Sequence, residues 1–493
     1  QSVRDVIGRR LRHLSDECNS LLTLAAVIGR EFDLDALAGA GGLERGIVLE
    51  LLDEGMEARV VAEVPGAIGR MRFAHALIRD AAYHGLTRSR RVQLHRQVGE
   101  ALERLYSSDL ESHLAELAHH FFQAAAAGNG HKAVTYAQRA GSRAVHLLAY
   151  EEAARLYVMA LQALGPDGAS IARLRCELLL GLADAQGRAG HADEAKSTFL
   201  QAAELARAAE LPELIARAAA GYGGRFLWAH TLMDERLVPV LEEGLRAVAE
   251  NDSVLRVQLL SRLGAALRHG PSRERRERVC DEAIQIARRI GDPETLAYAI
   301  SAAEAALHGP HTAQRRLAEG GEIVTLAAGS GDRERVFDGH EHSFWAAWEL
   351  GDPDRRAEEL ASMTRIAEEL RQPAQLWMLA VAKATLALAE GRFAEAPELI
   401  ERGAAIGERV LRWGSVVTRK LQLFVLRRQQ GRLEGFDQEV RDYAREFPSP
   451  LVHGAVLAYI YASSNHTKEA EALLHELTSR DLSGWHVDEE WLV

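Results

Sequence analysis

Apolar and polar positions along this chain keep almost throughout to three- and four-residue steps, the spacing of one face of an α-helix. From about residue 110 onward no alternating run interrupts that pattern. The segments AGHADEAKSTFLQAAELA, EGRFAEAPELIERGAAIG, LGDPDRRAEELASMTRIAEEL and SSNHTKEAEALLHEL are alike: a turn, a small residue, then a helix. Breakers recur at Gly190, His230, Gly270, Gly309, Gly351, Gly391 and Gly431, at intervals of 39 to 42 residues. A fixed period of this length means one helix pair per repeat, and one pair cannot bury its apolar face alone. Stacking is obligatory, so residues 167–493 are expected to form an α-solenoid, with residues 107–166 supplying connecting hairpins and a first repeat.

Residues 1–106 read differently. SVRDVIGRRLRHL sets Val3, Ile7, Leu11 and Leu14 on one side of a helix. Ser15-Asp16-Glu17 then offers a cap for a second helix that stops at Gly29. Phe32, Leu34, Leu37 and the run 43–52 predict two further short helices. One hairpin follows: Val60–Val64 is rich in β-formers, Pro65–Gly69 is turn chemistry, and Met71–Phe73 returns. Helices resume over 76–86 and 89–106. Helices followed by a two-stranded wing predict a winged-helix-like domain. The fold class expected for the whole is all-α, with one small β-hairpin near the N-terminus.

Composition supports helices. Alanine and leucine dominate, prolines number only 12 and aromatics make up 6% of 493 residues, a length beyond one ordinary core. The net charge of -12 opposes a chain that coats nucleic acid. Cys18, Cys176 and Cys280 lie far apart, without metal-ligand spacing, and read as buried thiols in a reducing compartment. The N-terminal stretch lacks the apolar core of a secretory signal, and no run of 18 apolar residues occurs, so a cytoplasmic location with no membrane partner is expected. The last residues, Asp488 to Val493, start what reads as a new helix with no polar capping repeat behind it, and the chain is therefore expected to be a fragment.

The text LSDECNSLLTLAAVIGREFDLDAL, then RMRFAHALIRDAAYHGLTRSRRVQLHRQVGEALERLY, then HLAELAHHFFQAAAAGNGHKAVTYAQRAGSRAVHLLAYEEAARLYVMALQAL resembles a known region. It is the part just after the nucleotide-binding core of bacterial signal-transduction ATPases with numerous domains (STAND ATPases), regulators that often carry adenylyl cyclase or LuxR-type domains. Residues 167–493 resemble their tetratricopeptide-like sensor arrays, through repeat form alone. The resemblance implies an ATPase core upstream of Gln1, with ATP or ADP as its cofactor and that domain as a partner. None of the five lysines (Lys132, Lys196, Lys383, Lys420, Lys468) follows a glycine, so no phosphate-cradling loop lies in this chain and no cofactor is expected in it. Phe73 to Asp80 resembles the Met-His-Asp segment of related plant resistance and apoptotic ATPases, whose histidine contacts ADP phosphate. The resemblance implies that role for His75 in a longer protein. Ala76 stands where the pattern has Asp, and a histidine merely packing the wing is the other reading.

Other constellations divide between chemistry and packing. Arg70, Arg72, Arg79, Arg88, Arg90, Arg91 and Arg96 place seven positive charges in 27 residues, read as a solvated or domain-facing surface before a direct nucleic-acid site. His340-Glu341-His342 lacks the three- or four-residue spacing of a helical metal site. Six of seven tryptophans fall after residue 340: Trp345, Trp348, Trp377, Trp413, Trp485 and Trp491. Phe344, Trp345, Trp348 and Trp377 are candidates to line a ligand groove, or else inter-repeat core. No nucleophile elbow, dinucleotide fingerprint or zinc deaminase motif occurs, and no catalytic residue is assigned. The function expected is a non-catalytic regulatory and sensor fragment of a STAND-type regulator, binding a protein or small-molecule effector through the solenoid. The alternative is a stand-alone interaction scaffold.

Overall fold

Glycines and short polar side chains punctuate the helices, and their spacing decides where each pair turns back. A computed structural model describes residues 11, 13–127, 130–165, 171–224, 234–268, 272–446 and 450–479. Twenty-four α-helices and three short strands lie among them, and the chain divides into two compact units, 1–182 and 183–493. No described helix is long and apolar enough to cross a membrane. The helix expected over residues 2–14, the breakers His230 and Gly270, and Trp485 and Trp491 fall wholly or almost wholly outside the described residues, as does the end of the chain.

Unit one begins with α1 (Asp16–Ile28), β1 (Glu31–Asp33), α2 (Leu34–Gly41) and α3 (Arg45–Glu57). It continues through β2 (Val61–Glu63), β3 (Arg70–Phe73), α4 (Ala76–His84) and α5 (Arg88–Leu105). Helices α6 (Leu114–Gln123), α7 (Gly130–His146) and α8 (Tyr150–Leu164) follow, and α9 (Ala172–Arg188) runs on into unit two. The expected cap is present: Ser15 Oγ accepts from Cys18 N at 3.1 Å. That cap is itself anchored, because Glu54 on α3 accepts from Ser15 N and Oγ at 2.5 and 2.7 Å. These two hydrogen bonds hold the Glu54 carboxyl below its ordinary value.

The sheet corrects one expectation. Phe32 lies in a strand, not a helix, and β1 pairs with β3 to make a three-stranded antiparallel sheet in the order β1-β3-β2. A three-residue strand is too short to display alternation, so its sequence could not announce it. Tertiary packing decides: Phe32 and Phe73 are both buried, their ring centroids 5.7 Å apart. Gly66 and Gly69, at φ +77° and +79°, turn β2 into β3.

Unit two is a succession of antiparallel pairs. The helices are α10 (Ala192–Ala208), α11 (Pro212–Tyr222), α12 (Leu237–Ala247), α13 (Val254–Ala266), α14 (Arg273–Ile290) and α15 (Pro293–Ala306). Then come α16 (Ala313–Ser330), α17 (Arg333–Glu349), α18 (Pro353–Leu370), α19 (Pro373–Ala389) and α20 (Ala396–Val410). The last are α21 (Arg412–Gln429), α22 (Phe436–Glu446), α23 (Pro450–Ser463) and α24 (Thr467–Thr478). The expected period is visible in the backbone: of the left-handed positions, Gly190, Glu210, Gly291, Gly331, Gly351, Arg371, Gly391 and Gly431 stand at multiples of about twenty residues, while Gly224, Gly435 and Asn465 fall outside that series. Gly309, also expected as a breaker, is extended instead at φ -179°.

Two kinds of helix alternate. Outer helices such as α14 and α18 bury one stripe: Cys280, Ala283, Ile286 and Ala287 on the first, Met363, Ile366, Ala367 and Leu370 on the second. Inner helices such as α15 and α19 are buried around most of their circumference. The extensive helix contacts in this unit join neighbours or next neighbours, as a solenoid requires. At α16–α17 the backbones meet so closely that a Cβ on Gly339 would sit 2.7 Å from Gly320 O.

Candidate functional site

In unit one the candidate lies where β3 runs into α4. His75 caps α4, its Nδ1 accepting from Leu77 N at 3.2 Å. An accepting Nδ1 assigns the neutral proton to Nε2. The side chain is exposed, and Nε2 has no hydrogen bond among the described residues. What this geometry offers is one N–H donor at the edge of a helix N-terminus.

The arginines around it are of two sorts. Arg70, Arg72, Arg88 and Arg90 are exposed, and Arg96 approaches Glu100 at 3.4 Å. Arg79 instead points inward, donating from Nε to Ala26 O at 2.9 Å and lying 4.5 Å over the Tyr83 ring. Arg91 sits 5.6 Å from the same ring. Behind Tyr83 runs a buried polar chain: Tyr83 Oη to His95 Nε2 at 2.9 Å, then His95 Nδ1 to His120 Nδ1 at 3.0 Å. The close Nδ1 pair holds one proton between two rings, and a second would set two N–H groups against each other. Burial, then the charges of His119, Arg79 and Arg91, lowers His95 to about 4. Burial first, then His95 and His119, takes His120 well below its ordinary value. Sequence reasoning missed this chain. Its signal was His120 falling on the apolar stripe of Leu117, Ala118 and Phe121.

In unit two the four candidate aromatics separate. Phe344 is fully buried and Trp377 is 3% exposed, both in one core with Ile323, Phe337, Met363 and Ile366. This is the inter-repeat core that the sequence offered as the other reading for these two, with large rings filling the space between stacked helices. Trp345 and Trp348 pack on this core but stay partly exposed. Trp345 Nε1 donates to Glu341 at 2.5 Å, and Arg356 lies 4.7 Å over Trp348.

The same inner helices carry polar groups that packing alone does not require. Ser301 Oγ meets His342 Nε2 at 3.3 Å, joining α15 to α17. His340 turns the other way, to Glu359 on α18 at 2.5 Å, where Arg355 also binds at 2.6 Å. His340 and His342 therefore diverge. Arg335 pairs with Asp338 at 2.5 Å and lies 5.3 Å over Tyr298. Arg316 and Glu349, 2% and 4% exposed, form an ion pair at 2.5 Å with His308 alongside at 3.5 Å. Glu304 is 1% exposed, and neither carboxyl oxygen has a hydrogen-bond partner among the described residues. Burial, then the Glu319 carboxyl, pushes Glu304 up to about 9, so it holds its proton at neutral pH.

No family model matches the chain. No curated protein matches it either. Among solved structures it is similar to a Rap protein complexed with competence and sporulation factor, at 11% identity and TM-score 0.41, covering 70% of this chain and 96% of that one. It is also similar to a STAND protein with a tetratricopeptide repeat sensor from Pyrococcus horikoshii, at 14% identity and TM-score 0.35. That likeness covers 95% of this chain and 66% of the other. A circular tandem repeat protein with novel repeat topology aligns at 17% identity and TM-score 0.16, covering 97% and 98%. These scores are low, and the solenoid assignment rests on the helix pairs and turns themselves.

Proposed function

We propose that this chain is the non-catalytic regulatory and sensor part of a STAND-type signalling or transcription regulator, in which unit two binds a protein or small-molecule effector. The observation that carries the reading is the inner helix layer from α15 to α17. Burying a polar group without a hydrogen bond weakens a helical stack, so a layer that keeps the buried Glu304 carboxyl and sets Glu341 against the part-exposed Trp345 is suited to recognition. The winged-helix-like part, with an unspent N–H at His75, supports contact with an ADP phosphate held by an upstream nucleotide domain. An effector acts there only if it prefers one of two arrangements of the longer protein.

The test uses the full chain as bait in lysate of its native cytoplasm. A partner is expected that is lost with Glu341→Ala or Trp345→Ala and kept with Arg365→Ala on the outer surface. Binding that ignores all three changes would sink the inner-layer reading. In a longer protein containing the nucleotide domain, His75→Ala is expected to speed ADP release. A partner set held regardless of nucleotide there would favour the scaffold reading instead.

A further inference from the structure

Solenoid repeats touch only their neighbours, which leaves such an array free to stretch or compress like a spring. Among the described residues, unit two departs from this where α9 ends. Arg188, at the end of α9, reaches Glu334 in the first turn of α17, 146 positions further on. Glu334 also accepts from Gln372 Nε2 at 2.8 Å, and Gln372, the residue that opens α19, is fully buried. Arg188 is braced from its own helix by Asp184, 2.8 Å from Nε.

The turn that follows is shaped for this meeting. Gly190 is buried at φ +86°, and a Cβ there would stand 3.0 Å from Pro373 Cγ and 3.8 Å from Val410 Cγ2. Only a residue without a side chain lets the turn settle against the start of α19 and the end of α20. The ion pair is half-shielded, with Arg188 and Glu334 side chains 23% and 12% exposed, so solvent screens it less than a surface pair. Charge, hydrogen bond and steric fit thus converge on one spot.

We propose that this contact is a latch: it fixes the pitch of unit two in a closed state, and its release lets the helices from α10 to α17 extend. The latch belongs to this unit alone and needs no identified partner, so it stands or falls apart from the interaction reading. Glu334 stands in the first turn of α17, where a helix N-terminus favours a negative side chain.

Hydrogen exchange and small-angle X-ray scattering on the full chain test it. The amides of Gly190 and His191, bonded to Gly187 O and Gln186 O at 3.2 and 2.9 Å, report on the turn. Glu334→Lys should make them exchange about tenfold faster, with a larger radius of gyration and unchanged helical circular dichroism. Arg365→Ala should change neither. Should Glu334→Lys lose helical signal, Glu334→Gln decides by the same readouts, with a smaller effect of the same sign. Unaltered exchange at both amides together with a superimposable scattering curve would overturn the latch.

Discussion

Each unit buries polar side chains, and each deals with their charge differently. In unit one, burial depresses His95 and His120 so that they stay neutral, and one chain of hydrogen bonds from Tyr83 satisfies them. In unit two, Arg316 and Glu349 answer each other in a buried ion pair, while Glu304 nearby is silenced by keeping its proton. A neutral buried network fails when acid forces a proton on it. A buried ion pair fails when it loses one member. The contrast shows that buried polarity in a helical protein can be assigned a failure mode from its protonation state.

Breaking the pair should have the largest effect. Glu349→Ala leaves the Arg316 guanidinium buried and unanswered, and is expected to cost about 3–5 kcal/mol in urea unfolding. A loss under 1 kcal/mol would mean that water already reaches Arg316.

Acid should come next, acting on unit one. His95 titrates near 4 in the fold and near 6.5 unfolded, so the unfolded chain binds more protons between those values. Stability should fall as pH drops from about 6.5 towards 4, by up to roughly 3 kcal/mol. Unfolding midpoints followed across that range, with His95→Asn flattening the dependence, give the check. A midpoint indifferent to acid in the unaltered chain would remove the neutral-network assignment.

The sign reverses at Glu304. Its folded value lies above its unfolded one, so the carboxyl weakens the fold progressively as pH rises from 4.5 to about 9. Glu304→Gln, uncharged throughout, should therefore raise stability at pH 7 by up to roughly 3 kcal/mol, with the gain vanishing near pH 4.5. A destabilised variant at pH 7 would show that the carboxylate is charged and paired. Smallest of all, Arg365→Ala on the outer face removes an exposed contact with Glu369, and should stay within about 0.5 kcal/mol.

Legibility follows the same physical lines. Helices and the forty-residue beat were readable because local spacing and glycine placement set them: Gly351, Gly391 and Gly431 fall where the pattern asked. The cap at Ser15 was readable for the same reason. Strand β1 was not, since three residues carry no period and Phe32 is placed by pairing with Met71 and packing on Phe73. The tryptophans show the limit at a site: sequence put Phe344, Trp345 and Trp348 on adjoining positions, yet only packing decides that the first is core and the others keep some surface. The His95–His120 pair and the Arg188–Glu334 contact join residues 25 and 146 positions apart, and no local signal carries such a meeting.

The even placing of left-handed turns has a consequence for how this chain can change length. Adding one residue inside a helix swings everything after it by about 100°, carrying an inward-facing stripe out to water. Adding a whole pair of helices leaves each facing direction as it was. Growth and shrinkage of unit two are thus confined to steps of one hairpin, and anything between should be found only at the loops.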